Sequence, residues 1–184
     1  AFHRRAEKIP SMIKNLETKY KLVDNLTPYE EKGIFLESTS SMVFDRVNMI
    51  AYIGKSVRTN ENLAREWCSK NGFEIVIFET TSHRNNPIYH TDVLMFVGTD
   101  MIGLCDEVIN DDYKEEVLSR AQKYHDVMLL TKDQILDFCG NALEARNNKD
   151  EKYLIMSSRA QKSLTSSQIV KIKKYYKDII HADI

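Results

Sequence analysis

Apolar residues along this chain predict the same strand–strand–helix–strand unit three times, at a spacing of about 50 residues. In each unit, short apolar runs predict strands, and apolar residues at every third or fourth position between them predict a helix. The predicted repeats span residues 42–80, 92–130 and 141–184. The pattern therefore predicts an α/β protein built of ββαβ repeats.

Local signals mark the ends of the predicted helices. In the first repeat, Thr59 and Asn60 stand ready to cap a helix over residues 60–70, because their side-chain oxygens accept otherwise unpaired backbone N–H groups. Gly72 ends that helix, since glycine tolerates the left-handed conformation of many helix exits. In the third repeat, Thr165 and Gln168 have the spacing of a capping box at the start of a helix over 165–177.

A further half repeat is predicted before the first full unit. Residues 10–20 have the pattern of a helix, and residues 21–26 that of a strand. Together, residues 10–26 match the second half of a ββαβ unit whose first half is absent. A chain of 184 residues is long enough for one buried core. We therefore predict a single partial domain over residues 1–184.

Composition and charge narrow the classes of partner. A formal net charge of −1 gives no electrostatic reason to expect nucleic acid or an anionic membrane as partner. No apolar run has the length of a membrane span. The three cysteines are unclustered, so the sequence predicts reduced thiols in the cytoplasm or an organelle interior. No spacing of His and Cys predicts a metal site, and no motif predicts a cofactor.

The candidate catalytic and binding residues lie in the segments that lead into the first strand of each repeat. Glu37, His90 and Asn141 stand just before or at the first strand of each unit, and a repeat architecture brings equivalent positions together around an axis. His90 also precedes Asp92 by two residues, which suits an acid–base imidazole held by a carboxylate. Arg58, in a strand-to-helix loop, is suited to a forked contact with a carboxylate. Each of these residues also has a purely structural interpretation. Glu37 could be a solvated carboxylate and His90 could make a hydrogen bond at a strand start. Arg58 could be a loop cation, and Asn141 could form a turn.

Eight short motifs are distributed along almost the whole chain. They are Phe2-His3-Arg4-Arg5, Leu26-Thr27-Pro28-Tyr29-Glu30, Phe35-Leu36-Glu37-x-Thr39, Asp45-Arg46-x-Asn48-x-Ile50-Ala51-Tyr52, Arg58-Thr59, Pro87-Ile88-Tyr89-His90-Thr91, Gly140-Asn141 and Ser163-Leu164-Thr165. In this order they resemble the guanidine-modifying (pentein) superfamily, most closely its amidinotransferase-like citrulline hydrolases. The chain is also similar to dimethylarginine dimethylaminohydrolases and arginine deiminases. The resemblance implies a five-bladed α/β propeller of ββαβ blades, of which this chain would hold about three and a half.

The resemblance also implies a chemistry, in which a Cys thiolate attacks the carbon of a guanidino or ureido group. His90 would then be the acid–base residue, Glu37 would orient the substrate, and Asp92 would be a second carboxylate. Arg58 would hold an α-carboxylate, and Asn141 matches a family residue near the active site. The substrate would be an arginine-like or citrulline-like small molecule.

The chain departs from the family at the nucleophile. In the family this Cys follows a Gly-rich segment near the C-terminus. The cysteines of this chain lie in no such motif; they are Cys68, Cys105 and Cys139. Ser38 and Ser40 also replace family glycines, so a side chain stands where the backbone can require a positive φ. The hypotheses are a segment of a working hydrolase, a catalytically inactive structural or binding subunit of a larger assembly, and one half of a split enzyme. In each, unpaired sheet edges predict a protein partner or self-association.

Overall fold

The computed structural model describes residues 8–183 as a mixed α/β fold with three small sheets. Each sheet has three strands, which are the three strands of one ββαβ unit. The strands are β1 (Val43–Asp45), β2 (Ile50–Gly54), β3 (Glu74–Phe78), β4 (Met95–Val97), β5 (Met101–Leu104), β6 (Asp126–Leu129), β7 (Leu143–Arg146), β8 (Lys152–Ser157) and β9 (Asp178–Ala182). The helices are α1 (Pro10–Glu17), α2 (Ser38–Ser41), α3 (Glu61–Asn71), α4 (Asp111–Gln122), α5 (Lys132–Leu136), α6 (Ser158–Ser163) and α7 (Ser166–Ile172).

Every sheet repeats the same topology. The first two strands pair antiparallel, as in β1 and β2, where Phe44 lies opposite Ala51. The third strand returns through a helix and pairs parallel with the second, as β3 does with β2. The second strand is therefore central in each sheet, and β2 and β5 are buried along their whole length. Burial on both faces explains why these strands read as continuous apolar runs in the sequence.

The first strands of the three sheets lie next to one another, β1 against β4 and β4 against β7. The largest apolar core extends across all three sheets and includes Tyr52, Leu104 and Leu154 from their central strands. One core shared by three similar units agrees with repeats that cannot bury their apolar faces alone. The segments that lead into the first strands are thereby brought to neighbouring positions.

Helix α3 shows how closely local signals set the element boundaries. The Asn60 side chain accepts a hydrogen bond from Leu63 N, and Gly72 ends the helix with a φ of 74°. Leu63 and Cys68 are buried on the face that packs inward. The predicted end at Gly72 and the predicted cap at Asn60 are confirmed, whereas Thr59 bonds to Ser56 instead of capping the helix. The capping box of Thr165 and Gln168 is also present, although α7 ends at Ile172, well before residue 177.

The prediction of a strand over residues 21–26 is wrong. No regular structure forms there, and Leu22 and Val23 are more than half exposed. A strand is stable only when a neighbouring strand accepts and donates its backbone hydrogen bonds, and no strand among residues 8–183 does so for this segment. The preceding helix α1 exists but buries none of its residues. The half repeat is thus reduced to a helix, and no helix in the described range is long and apolar enough to cross a bilayer.

Candidate active site

Glu37 and His90 meet at the centre of the candidate site. Glu37 lies at the N-cap of α2, and His90 precedes a short 3-10 turn formed by Thr91–Val93. Glu37 Oε2 accepts a 2.5 Å hydrogen bond from His90 Nε2, across 53 residues of sequence. The two side chains are only 7% and 8% exposed. A charge-assisted bond between buried groups is stronger than the same bond in water, and it fixes the orientation of the imidazole.

The electrostatics of this pair favour a charged carboxylate. Burial by itself raises the pKa of the Glu37 carboxyl, but hydrogen bonds and positive charge around it, those of His90 among them, together outweigh burial and hold the pKa below its ordinary value. An ionised Glu37 accepts the Nε2 proton, which assigns the lone pair of a neutral His90 to Nδ1. The imidazole is then prepared to take a proton at Nδ1 and to hold the resulting charge next to a carboxylate.

Arg58 lies beside the same carboxylate. Its Nη1 is 3.6 Å from Glu37 Oε2, and its guanidinium lies 4.9 Å from the centre of the Tyr89 ring. The Tyr89 backbone is tied to the Arg58 loop, because Ser56 Oγ donates a 2.8 Å hydrogen bond to its carbonyl. Arg58 is therefore held between an anion and an aromatic face, an arrangement that suits guanidinium groups.

Asp92 and Asn141 meet at the turn that follows His90. Asn141 Nδ2 donates a 3.3 Å hydrogen bond to the Asp92 carbonyl. This contact depends on Gly140, because a Cβ at that position would lie 2.2 Å from the Val93 carbonyl oxygen. Glycine thus allows the segment before β7 to approach the turn that follows His90. The segments that lead into the first strands of the three repeats are therefore in contact. Glu37 is bonded to His90, and Asn141 is bonded to the backbone of Asp92.

A cleft of about 480 Å³ runs along the first strands β1, β4 and β7. Thr39, Asp92 and Asn141, from the segments that lead into these strands, also contribute to its lining. The cleft therefore reaches the turn that carries Asp92, two residues after His90. Glu37 and His90 do not line the cleft.

The cysteines are poor candidates for the nucleophile. All three are buried, and burial raises the pKa of Cys68 to about 11 and that of Cys105 to about 12. Burial also raises the pKa of Cys139, whose Sγ lies 2.9 Å from Ser163 Oγ. A nucleophilic thiol has a lowered pKa and an accessible, electropositive environment. These thiols have the opposite properties.

Three residues of the site were not recognised from the sequence as functional. Tyr89 stacks on Arg58, and Ser41 and Thr91 are fully buried hydroxyls that connect the segments of Glu37 and His90. Ser41 belongs to a run of four hydroxyl residues, and nothing in that run shows which one faces inward. Thr91 had one signal, its position next to His90. In residues 8–183 there is no group of three His, Cys, Asp or Glu side chains arranged for a metal ion.

The fold of this chain is that of the pentein superfamily. The chain superposes on unliganded AgrE with a TM-score of 0.72 and 14% identity, over 98% of this chain and 24% of that one. For apo ArgZ, an arginine dihydrolase of the ornithine–ammonia cycle in cyanobacteria, the TM-score is 0.70 and the identity 12%, over 97% and 26%. For a mutant of DDAH from Pseudomonas aeruginosa complexed with citrulline, the values are 0.51 and 15%, over 78% and 48%.

The sequence assigns the family more narrowly. The model of the eukaryotic N,N-dimethylarginine dimethylhydrolase family matches residues 1–184, and this chain belongs to that family. The resemblance to penteins, with its similarity to dimethylarginine hydrolases, is thus confirmed. No curated protein sequence matches the chain at a significant level. The chain spans about a quarter of AgrE and ArgZ and about half of the Pseudomonas enzyme.

Proposed function

We propose that this chain carries the acid–base and substrate-orienting residues of a hydrolase that cleaves a C–N bond in a guanidino or ureido compound. The observation that carries the proposal is the buried 2.5 Å contact between His90 Nε2 and Glu37 Oε2. Two distant segments of a chain in this family converge to form it, which a purely local turn or strand-start contact would not require. The proposed substrate is an arginine-like or citrulline-like small molecule, since ArgZ is described as an arginine dihydrolase and DDAH as complexed with citrulline.

In the proposed reaction, a thiolate adds to the guanidino carbon and forms an S–C bond. His90 delivers a proton to the departing nitrogen as the C–N bond breaks. His90 then takes a proton from a water molecule, whose oxygen attacks the same carbon. The S–C bond breaks as the proton of the added hydroxyl passes to the released amine, and the products are the ureido compound, the protonated amine and the regenerated thiolate. Glu37 balances the charge on His90 and orients the cationic nitrogens, and Asp92 acts as a second carboxylate from the cleft.

Arg58 and Asn141 are proposed as substrate-binding residues. A guanidinium held against Tyr89 suits the α-carboxylate of an amino acid. The 3.6 Å separation from Glu37 means that the same guanidinium also offsets part of the negative charge of the site. The Asn141 amide lies at the cleft lining, where it is suited to hydrogen bonding with a polar substrate group.

The nucleophile of this reaction is proposed to come from outside the residues of this chain. The burial and raised pKa values of Cys68, Cys105 and Cys139 support this part of the proposal. The same observation favours a second candidate, a catalytically inactive pentein that binds a ligand or acts as a structural subunit. In either case we propose an incomplete set of pentein blades that requires a protein partner or self-association, in a reducing compartment that keeps the thiols reduced.

The proposal is tested with the natively purified protein. Citrulline formation is measured with arginine and with dimethylarginine as substrates, and citrulline binding is measured by calorimetric titration. We expect His90→Asn to lower turnover by about 10²- to 10⁴-fold, the range attributed to a lost general acid–base residue. The matched control is His83→Asn, which replaces an exposed imidazole and should leave turnover unchanged.

The two candidate functions give different results. Binding of citrulline without turnover, lost in Glu37→Gln, would support the inactive binding subunit. Absence of both binding and turnover in the wild-type protein would contradict the hydrolase proposal. Equal turnover by the wild type and His90→Asn would contradict the role of His90.

A further inference from the structure

Ser41 has an unusual set of contacts for a side chain at the end of a one-turn helix. It is fully buried, and its Oγ accepts a 3.2 Å hydrogen bond from the backbone N–H of Glu37. The same hydroxyl donates a 3.2 Å hydrogen bond to the backbone carbonyl of Arg58. The buried hydroxyl of Ser41 therefore links the backbones of Glu37 and Arg58, which are far apart in sequence.

Thr91 makes a second link of the same kind. It is fully buried, it follows His90 directly, and its Oγ1 donates a 2.6 Å hydrogen bond to the Ser41 carbonyl. Thr91 Oγ1 also accepts a 2.9 Å hydrogen bond from the backbone N–H of Gly54, at the end of β2. The segment that carries His90 is thereby joined both to α2 and to the sheet.

We propose that Ser41 and Thr91 act together as positioning residues, a hydroxyl hub that sets the relative positions of Glu37, Arg58 and His90. This inference rests on the proposed function, because it assigns a catalytic purpose to the geometry. The hub touches no substrate and acts through the three residues that it holds. A hydroxyl is required at both positions, since each one donates and accepts at the same time and no apolar side chain of similar size does either.

The physical consequence follows from burial. Removing either hydroxyl leaves backbone groups without a partner inside the protein, and the chain responds by shifting so that they find other partners. The contact between His90 Nε2 and Glu37 Oε2 joins two of the segments that the hub connects. A shift of about 1 Å in such a contact is enough to lower catalysis by about 100-fold.

The test uses Ser41→Ala and Thr91→Val, which remove the hub hydroxyls at different ends. Thr91→Ser retains the hydroxyl and is the conservative rescue variant. Ser40→Ala is the matched control, because the Ser40 side chain makes no hydrogen bond in residues 8–183. The first readout is the NMR signal of the His90 Nε2 proton, which lies far downfield while the bond to Glu37 is short. The second is citrulline binding and turnover.

We expect Ser41→Ala and Thr91→Val to shift or broaden the His90 signal and to lower turnover, or weaken citrulline binding, by about 10- to 100-fold. Thr91→Ser and Ser40→Ala should match the wild type in both readouts. Folded Ser41→Ala and Thr91→Val variants with an unchanged His90 signal would overturn the hub. An unchanged signal together with lost activity would do the same, because the loss would not pass through the pair.

Two further results separate this inference from the proposed function. If the wild type neither binds nor turns over citrulline or its precursors, the proposed function fails, and the His90 signal still decides whether the hub exists. If neither hub variant folds, hydrogen exchange in the wild-type protein decides. The hub predicts slow exchange of the Glu37 and Gly54 amide hydrogens, and fast exchange of both would overturn it.

Discussion

Ser38 has a backbone conformation that is more typical of glycine than of serine. It directly follows Glu37 and has a φ of 51°, the left-handed region that a serine side chain disfavours. Glycine adopts this conformation without strain, and the resemblance to penteins predicts a glycine at this position. The backbone next to Glu37 is therefore under strain, which the contacts of α2 must offset.

We predict that Ser38→Gly stabilises the protein by up to about 1 kcal/mol, because relief of the left-handed strain exceeds the added flexibility of the unfolded chain. The matched change Ser40→Gly, at a position without positive φ, should destabilise it by about 0.5–1 kcal/mol. Urea unfolding of both variants gives the free energies. A loss of stability in Ser38→Gly as large as that in Ser40→Gly would contradict the strain at Ser38.

At the scale of elements, the chain relies on caps to place its site residues. Helix α3 begins directly after the Arg58 loop, and its N-cap residue, Asn60, also donates its backbone N–H to the Phe35 carbonyl at 2.7 Å. The side chain of Asn60 fixes the start of the helix, and its backbone fixes the segment that leads to Glu37. One cap thus organises both the loop of Arg58 and the approach to Glu37.

Asn60→Ala should destabilise the protein by about 1 kcal/mol, because Leu63 N loses its hydrogen-bond acceptor at the start of α3. The control is Asn62→Ala, an exposed position in the first turn of the same helix, for which little change is expected. Thermal or urea unfolding measures both. Equal stability of Asn60→Ala and the wild type would show that the cap observed in the structure contributes nothing.

At the scale of the whole molecule, the main feature is an exposed apolar surface on helix α1, which buries none of its residues. Ile9, Met12, Ile13 and Leu16 follow one another at helical spacing on and beside α1, and each is 44–56% exposed. A run of exposed apolar residues on one helix face is unfavourable in water and typical of a surface that is covered by another protein element. This surface supports the predicted partner or self-association.

We therefore expect the protein to self-associate or to purify with a partner. In light scattering, the apparent mass of a self-associating protein rises with concentration. Leu16→Lys places a charge on the apolar face and should lower the apparent mass at a given concentration. Asn15→Lys, on the same helix, serves as the control. A monomeric mass at every concentration, with no co-purifying protein, would contradict the expectation.

Much of the fold follows from local patterns. The cap at Asn60 and the left-handed exit at Gly72 are determined by interactions within a few residues, so the sequence predicts them closely. Strands β2 and β5 are predicted for another reason, because strands buried on both faces need continuous apolar runs. Residues 21–26 carry a similar apolar pattern but form no strand, because a strand exists only when a distant segment pairs with it. Local patterns contain no information on that pairing.

For the candidate site, the sequence by itself determined the residue types and their repeat positions, and with them the prediction that Glu37, His90 and Asn141 approach one another. The side of His90 that faces Glu37, the stacking of Arg58 on Tyr89 and the burial of Ser41 and Thr91 were decided only by the tertiary structure. The physical reason is that a hydroxyl or an imidazole becomes directional only when packing removes water and leaves one partner within reach.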